Sequence, residues 1–273
     1  MADTSSSKTT AWFVVGLIVL VTVVVIVAGA MSSGSNASSS SATTGFVATT
    51  AAAITSTDHV IGNPNAKVSL IEYGDFECPA CGAYEPLVQQ LINNFSSTVK
   101  FVFRNYPLTS IHPFAMVGAE AAEAAGMMGG PAKYWAMHNL LYAKQTEWST
   151  NGNLTPAEVT SQYLNGYAQS LGLNVTTFDA DMNSAQVSNK IQADITTGNA
   201  AQINHTPTFF VNLEQIPNPT SYGQFQTVLE QALASSSAAS ASASNGTSSS
   251  AAPVSVTVVP GASSTITVTS TAK

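Results

Sequence analysis

IEYGDFECPACGAYEP, residues Ile71 to Pro86, is the stretch that decides the fold. It opens at the end of a short apolar run, Val68 to Tyr73 (VSLIEY), which has the length and composition of a buried strand. Beyond it, Tyr84, Leu87, Val88, Leu91, Ile92 and Phe95 recur at helical spacing. Cys78 and Cys81 stand at the junction with Pro79 and Ala80 between them. Pro79 suits a first helical turn, where its missing N–H costs nothing. A C-x-x-C in this context sets the first sulfur beside unpaired backbone N–H groups and the positive end of the helix dipole. Both favour thiolate over thiol, and such sites lower a cysteine pKa to roughly 3.5–7.5. The second cysteine, one turn on, is expected to be more buried. Cys78 is therefore assigned as the attacking cysteine and Cys81 as the resolving one.

Working outward, Val99 to Arg104 (VKFVFR) reads as a second strand, so the unit is β-α-β with parallel strands and a right-handed crossover. From His112 to about Asn204 the pattern is helical. One helix carries Phe114, Met116, Val117 and an Ala-rich run to Met128; Pro131 starts another through Trp135, Leu140 and Leu141. Thr155-Pro156-Ala157-Glu158 has the form of a helix N-terminus, with a capping threonine, proline at the first helical position and an acid in the first turn. Thr208 to Asn212 (TFFVN) returns to strand, and a last amphipathic helix runs from about Tyr222 to Ala234. The fold class is α/β.

The ends are different in kind. Residues Ala11 to Met31 carry no charge and are long enough for a bilayer core, which roughly 20 helical residues span. A cleaved signal peptide competes, because Ala28-Gly29-Ala30 resembles a cleavage site; the length of the apolar run favours an uncleaved anchor. Lys8 is the only basic residue before it, which puts residues 1–10 in the cytoplasm and the remainder outside. Residues 32–57 are a Ser/Ala/Thr-rich stretch read as a flexible tether, and residues 235–273 are a low-complexity tail. The folded domain lies between, over residues 58–234. The net charge of -7 and a single arginine, Arg104, leave no basic patch to neutralise phosphates, which argues against nucleic acid as a partner.

Three plain readings of the cysteine pair compete with a redox one. A structural zinc site needs four ligands, and no other cysteine exists to complete it. A structural disulfide closing so short a loop would restrict the unfolded chain little. A coincidental reduced pair fits poorly with an exported domain. Redox chemistry is preferred, with no metal and no cofactor beyond the Cys78–Cys81 disulfide itself.

The segment from Ile71 to Pro86 resembles the active-site strand and helix of DsbA-like proteins of the thioredoxin superfamily. The resemblance extends to Tyr106-Pro107-Leu108, to His112-Pro113 before an Ala-rich helix, to Lys133–Trp148 (KYWAMHNLLYAKQTEW) and to Thr206–Asn212 (TPTFFVN). It implies a thioredoxin fold with a helical insertion, about residues 108–204, between the βαβ half and a cis-proline ββα half. It also implies a cis Thr206–Pro207 bond facing the disulfide, which would free the Thr206 backbone for an extended substrate segment. Glu72 would lie beneath the site and assist proton transfer at the buried cysteine; a solvated, edge-facing glutamate is the alternative. Asp75 and Glu77 beside the motif are expected to be screened by solvent.

Three departures matter. Ala80 stands where the most oxidising members carry histidine, so a milder oxidant is expected. His205 stands where glycine is common, and is either a positive charge near the site or an exposed loop residue. The segment after Phe210, NLEQIPNPT, lacks the usual glycine turn, so an irregular terminal hairpin is expected. The leading function is a dithiol oxidase acting on unfolded exported proteins, recycled by a membrane reoxidant resembling DsbB or VKOR. A reductase or isomerase, and a copper-binding or holdase module on the same fold, are the alternatives.

Overall fold

A computed structural model describes residues 49–150 and 152–246. The apolar run Ala11–Met31, residues 1–10, most of the tether and the tail beyond Gly246 lie outside the described residues. No helix of the described residues is long and apolar enough to cross a membrane.

The sheet has five strands: β1 (His59–Gly62), β2 (Val68–Gly74), β3 (Val99–Asn105), β4 (Thr208–Val211) and β5 (Glu214–Ile216), in the order β1-β3-β2-β4-β5. Every residue of β2 is buried, as a near-continuous apolar run at the centre of a sheet requires. β2 and β3 are parallel, joined through α1 (Pro79–Phe95), which is the expected β-α-β unit. β4 lies antiparallel on the other side of β2, and β1 and β5 form the edges.

Alternation along the strands sorts the two faces. Leu70, Phe101, Phe209 and Val211 pack with Val88, Leu91 and Ile92 of α1 and with Phe225 and Leu229 of the last helix, α8 (Tyr222–Gly246). Ile71, Tyr73, Val102 and Phe210 pack on the opposite face with Tyr106, Ala201 and Ile203. Glu72 occupies a position on the first face, opposite Phe103 in β3 and Phe209 in β4.

The insertion between β3 and β4 is helical, as expected. It comprises α2 (Ala115–Ala143), α3 (Gln145–Ser149), α4 (Pro156–Val159), a π-helical turn (Thr160–Leu164), α5 (Asn165–Ser170), α6 (Val175–Met182) and α7 (Ala185–Ala200). The two helices read from Phe114–Met128 and from Pro131 meet end to end within α2. The break between them is at Gly129 and Gly130, where Gly130 has φ 69° and a side chain would be strained. Thr155 and Glu158 form a capping box at the start of α4. The insertion packs around Tyr134, Trp135, Leu141, Trp148 and Phe178, in one cluster with Phe76, Cys81 and Phe103 of the sheet half.

Three sequence expectations require correction. The tether does not extend to residue 57: Ala51 is buried, Ala51 N–H donates to Leu213, and Thr50 bridges to Glu214. Arg104 clamps this strap by donating to Ala52 O, Ala53 O and both oxygens of Asp58. An isolated Ser/Ala/Thr segment has too little apolar surface to order itself, but a buried guanidinium supplies the missing partner. The last helix also continues past Ala234 to Gly246, through a run of serines and alanines in which only the alanines are strong helix formers. The terminal hairpin is regular, because Asn212 and Leu213 adopt φ 51° and 74° and make the tight turn without glycine.

Candidate active site

The junction of β2 and α1 sets Cys78 Sγ 3.4 Å from Thr206 O in the loop before β4 and buries Cys81 in the apolar cluster shared with α2. Cys78 is the N-cap of α1 and has extended backbone, while Pro79 opens the helix. Its own N–H is donated to Asp75 O, and its carbonyl accepts from Gly82 N–H and from the Gln145 side chain. Gln145 also donates to Phe76 O at 2.8 Å, so one amide from α3 fixes the loop on both sides of the motif. Gly82 permits this approach: a side chain there would collide with Gln145.

The acids flanking the motif are buried, against the expectation of solvent screening. Asp75 accepts from Glu77 N–H at 2.8 Å and Leu108 N–H at 2.9 Å and pairs with His112 Nδ1 at 2.6 Å. Glu77 accepts from Phe114 N–H at 2.5 Å, at the start of α2. These carboxylates satisfy backbone donors and tie the Tyr106–Phe114 loop to the motif. The sequence-level reading missed this because both acids are only locally polar in a one-dimensional view.

Cys78 and Cys81 are free thiols with different surroundings. Cys81 is wholly buried and its pKa is pushed well above the ordinary thiol value, chiefly by burial. Cys78 is brought down to about 5. The largest cause is the hydrogen bond from the Cys81 thiol; burial opposes it, and the Thr206 hydroxyl and the N–H groups of Cys81 and Ala80 assist. The protonated Cys78 thiol donates instead to Thr206 O at 3.4 Å. Both arrangements fit one geometry. The Thr206 hydroxyl is buried without another partner, so it can turn to a thiolate once the proton leaves.

The Thr206–Pro207 bond is cis, and both residues are buried. Asn218 Nδ2 donates to Pro207 O at 2.7 Å and holds the turn. His205 is exposed and pairs with Asn204, which selects the exposed-loop reading. Glu72 is buried beneath the motif, not solvated at an edge. Its pKa is raised well above the ordinary value by burial first, then by the charges of Glu85 and Cys78. The five residues singled out in the sequence, Cys78, Cys81, Thr206, Pro207 and Glu72, thus converge on one site. Among the described residues no cluster of His, Cys, Asp or Glu could hold a metal. Chemically, a low-pKa thiolate beside a high-pKa thiol can carry out dithiol–disulfide exchange with no added cofactor.

A C-x-x-C at a helix N-terminus, abutted by a cis-proline loop on a central sheet, defines a protein of the thioredoxin fold with a paired-thiol site. The family model described as thioredoxin matches residues 54–231, and the chain belongs to that family. Among solved structures, BdbD from Bacillus subtilis superposes with a TM-score of 0.57 at 23% identity, covering 68% of this chain and 98% of that one. A thioredoxin-like oxidoreductase from Silicibacter pomeroyi gives 0.53 at 25% identity, covering 65% and 93%. Wolbachia pipientis alpha-DsbA1 gives 0.56 at 18%, covering 67% and 94%. The expected DsbA-like architecture is borne out. The chain is also similar to part of the Na(+)/H(+) antiporter NhaA 1 of Salinispora arenicola, at 43% identity over 155 residues, 57% of this chain and 22% of that protein. The NhaA 3 antiporter of Salinispora tropica is 37% identical over 179 residues, 66% of this chain and 25% of the relative. The chain therefore spans about a quarter of the length of these curated relatives or less.

Proposed function

We propose that the chain is an extracytoplasmic protein-disulfide oxidoreductase, anchored in the membrane by residues 11–31, that introduces disulfides into exported proteins. The observation that carries this reading is the asymmetry of the pair: Cys78 held down near 5, Cys81 pushed up by burial. In the disulfide state, a substrate thiolate attacks Cys78, and the Cys81 sulfur leaves and takes a proton, which Glu72 supplies. A second substrate thiolate attacks the substrate sulfur of the mixed disulfide, and Cys78 leaves as a stabilised thiolate. The substrate gains one disulfide and the enzyme becomes a dithiol. During the mixed disulfide, the Thr206 carbonyl no longer receives the Cys78 proton and can pair with an extended substrate backbone.

Stabilising the thiolate favours the reduced enzyme, so its disulfide is a donor. Recycling then requires an oxidant, which family resemblance suggests is a membrane protein of the DsbB or VKOR kind. The apolar run and the likeness to segments of proteins named as antiporters support a membrane-side location. A reductase or isomerase would use the same site with the opposite electron flow. The test is Cys81→Ala, expressed in an exporting cell. Without a resolving thiol, Cys78 should accumulate mixed disulfides with exported proteins, visible as reductant-sensitive bands. Absence of adducts, with the variant folded, removes the proposal.

A further inference from the structure

A cavity of about 10 Å³ lies between the sheet, α1 and α2, and Glu72 is one of the residues that line it. It is otherwise bounded mostly by apolar groups such as Leu70, Ile92, Phe103 and Phe209. Two polar side chains also line it, Trp135 and His138. Both are buried, and Trp135 Nε1 and His138 Nε2 have no hydrogen-bond partner in the protein. An unpaired buried indole N–H or imidazole nitrogen forfeits its hydration without a replacement, so two on one small cavity call for a ligand. The volume matches one water, which needs about 10–15 Å³ and two to four polar partners.

The network fixes which way such a water faces. His138 Nδ1 lies 3.0 Å from Asn139 Oδ1, which also accepts from Gln89 Nε2 at 3.1 Å. Asn139 Oδ1 can only accept, so Nδ1 carries the imidazole proton and Nε2 is left as an acceptor. Trp135 Nε1–H can only donate. A water between them accepts from Trp135, donates to His138, and has one proton left for the Glu72 carboxylate.

We propose that this cavity holds one ordered water, clamped by Trp135 and His138, which keeps Glu72 available as a base for Cys81. This deepens, and rests on, the exchange function proposed above. Trp135 and His138 are then positioning residues. The titratable groups facing His138 are Glu85 of α1, with Oε1 3.8 Å from Nδ1, Glu72 of β2, His59 of β1, and Tyr134 and Tyr142 of α2. Burial holds His138 neutral, down to about 4, so it does not change charge over the working range.

The step served is resolution of a mixed disulfide. With oxidised glutathione as probe, the Cys78 thiolate attacks one glutathione sulfur, the glutathione S–S bond breaks and one glutathione thiolate leaves. The Cys81 thiol then passes its proton to the Glu72 carboxylate and its sulfur attacks Cys78. The Cys78–Cys81 bond forms, the Cys78–glutathione bond breaks, and the second glutathione leaves as thiolate and is protonated from solvent. The enzyme loses two electrons and the glutathione disulfide gains them. Without the water, the Glu72 carboxylate loses a hydrogen bond, its proton is held more tightly and the base form becomes scarcer.

The test uses the full chain, with His138→Phe and Trp135→Phe compared with the native protein. Rates of adduct formation and of resolution are followed separately against pH. Loss of one partner weakens the base without deleting it, so the slowing should be a part of the roughly 10²–10⁴-fold that general acid–base catalysis contributes. Resolution at neutral pH should slow about tenfold in each variant and its pH midpoint should move up, with the Cys78 thiolate titration unmoved. Native profiles in both folded variants overturn the proposal but leave the exchange function standing. Failure to form any glutathione adduct in the native protein overturns both. A high-resolution crystal structure of the native protein decides the matter even if the variants misfold: a water bonded to Trp135 Nε1, His138 Nε2 and Glu72 supports the proposal, and a dry cavity overturns it.

Discussion

Cys78 and Cys81 are chemically the same residue, and their difference comes entirely from position. Cys78 sits at a helix start, within reach of N–H donors and the Thr206 hydroxyl; Cys81 is one turn deeper with no exposure. Because the folded Cys78 pKa is depressed, its anion stabilises the reduced fold. That stabilisation is complete above the ordinary thiol pKa, roughly 8.5, and is lost as pH falls through about 5. Thiolate absorbance of the reduced protein should therefore titrate with a midpoint near 5, and the melting temperature of the reduced form relative to the oxidised form should fall over the same window. A midpoint near 8.5 would show that the helix start and Thr206 do not stabilise the anion. At this scale the sequence was informative where chemistry is local. The C-x-x-C and its proline sit within one turn of helix, and so their roles were legible. His138, Trp135 and Gln145 were not, although their segment was noticed, because their importance depends on which atoms of a distant helix face the cavity and the motif.

Among the elements, the central strands and α1 followed directly from apolar periodicity. The edge strands did not. β1 is only half-buried and β5 is short and largely exposed, so neither carries a hydrophobic pattern strong enough to read. The Asn212–Leu213 turn was misjudged because leucine with φ 74° is rare and tertiary pairing of β4 with β5 imposes it. The strap before β1 was misjudged for a related reason: its order comes from Arg104, which lies far along the chain on β3. The Arg104–Asp58 pair is bidentate, at 2.7 and 3.0 Å, and nearly solvent-free. Removing one partner of such a pair strands the other charge and costs roughly 3–5 kcal/mol. Asp58→Ala should lower the unfolding free energy by about that amount in denaturant titration, with increased proteolysis within residues 49–57. A change below about 1 kcal/mol would mean that the strap is held by something else.

For the molecule as a whole, a thioredoxin-family domain follows, in the sequence, an apolar run of the length of an anchor, and the proposed function takes the redox site to be outside the membrane. If residues 11–31 anchor the chain, the native protein should remain with membranes through an alkaline wash, and a chain starting at residue 49 should be released. Release of the full chain would point to a cleaved leader. The thioredoxin-like fold, and the proximity of the five residues singled out, were legible because several ordered motifs along the chain agree with one another. The direction of electron flow was not, because it depends on the relative stability of two redox states, to which Ala80, Thr206 and the buried acids all contribute. The central claim, a disulfide donor driven by a stabilised Cys78 thiolate, is tested most directly by the reduction potential of the Cys78–Cys81 pair, equilibrated against glutathione buffers. The account predicts a value between about -120 mV and -230 mV, on the oxidising side of thioredoxin. A value at or below about -270 mV would contradict it and make the protein a reductase.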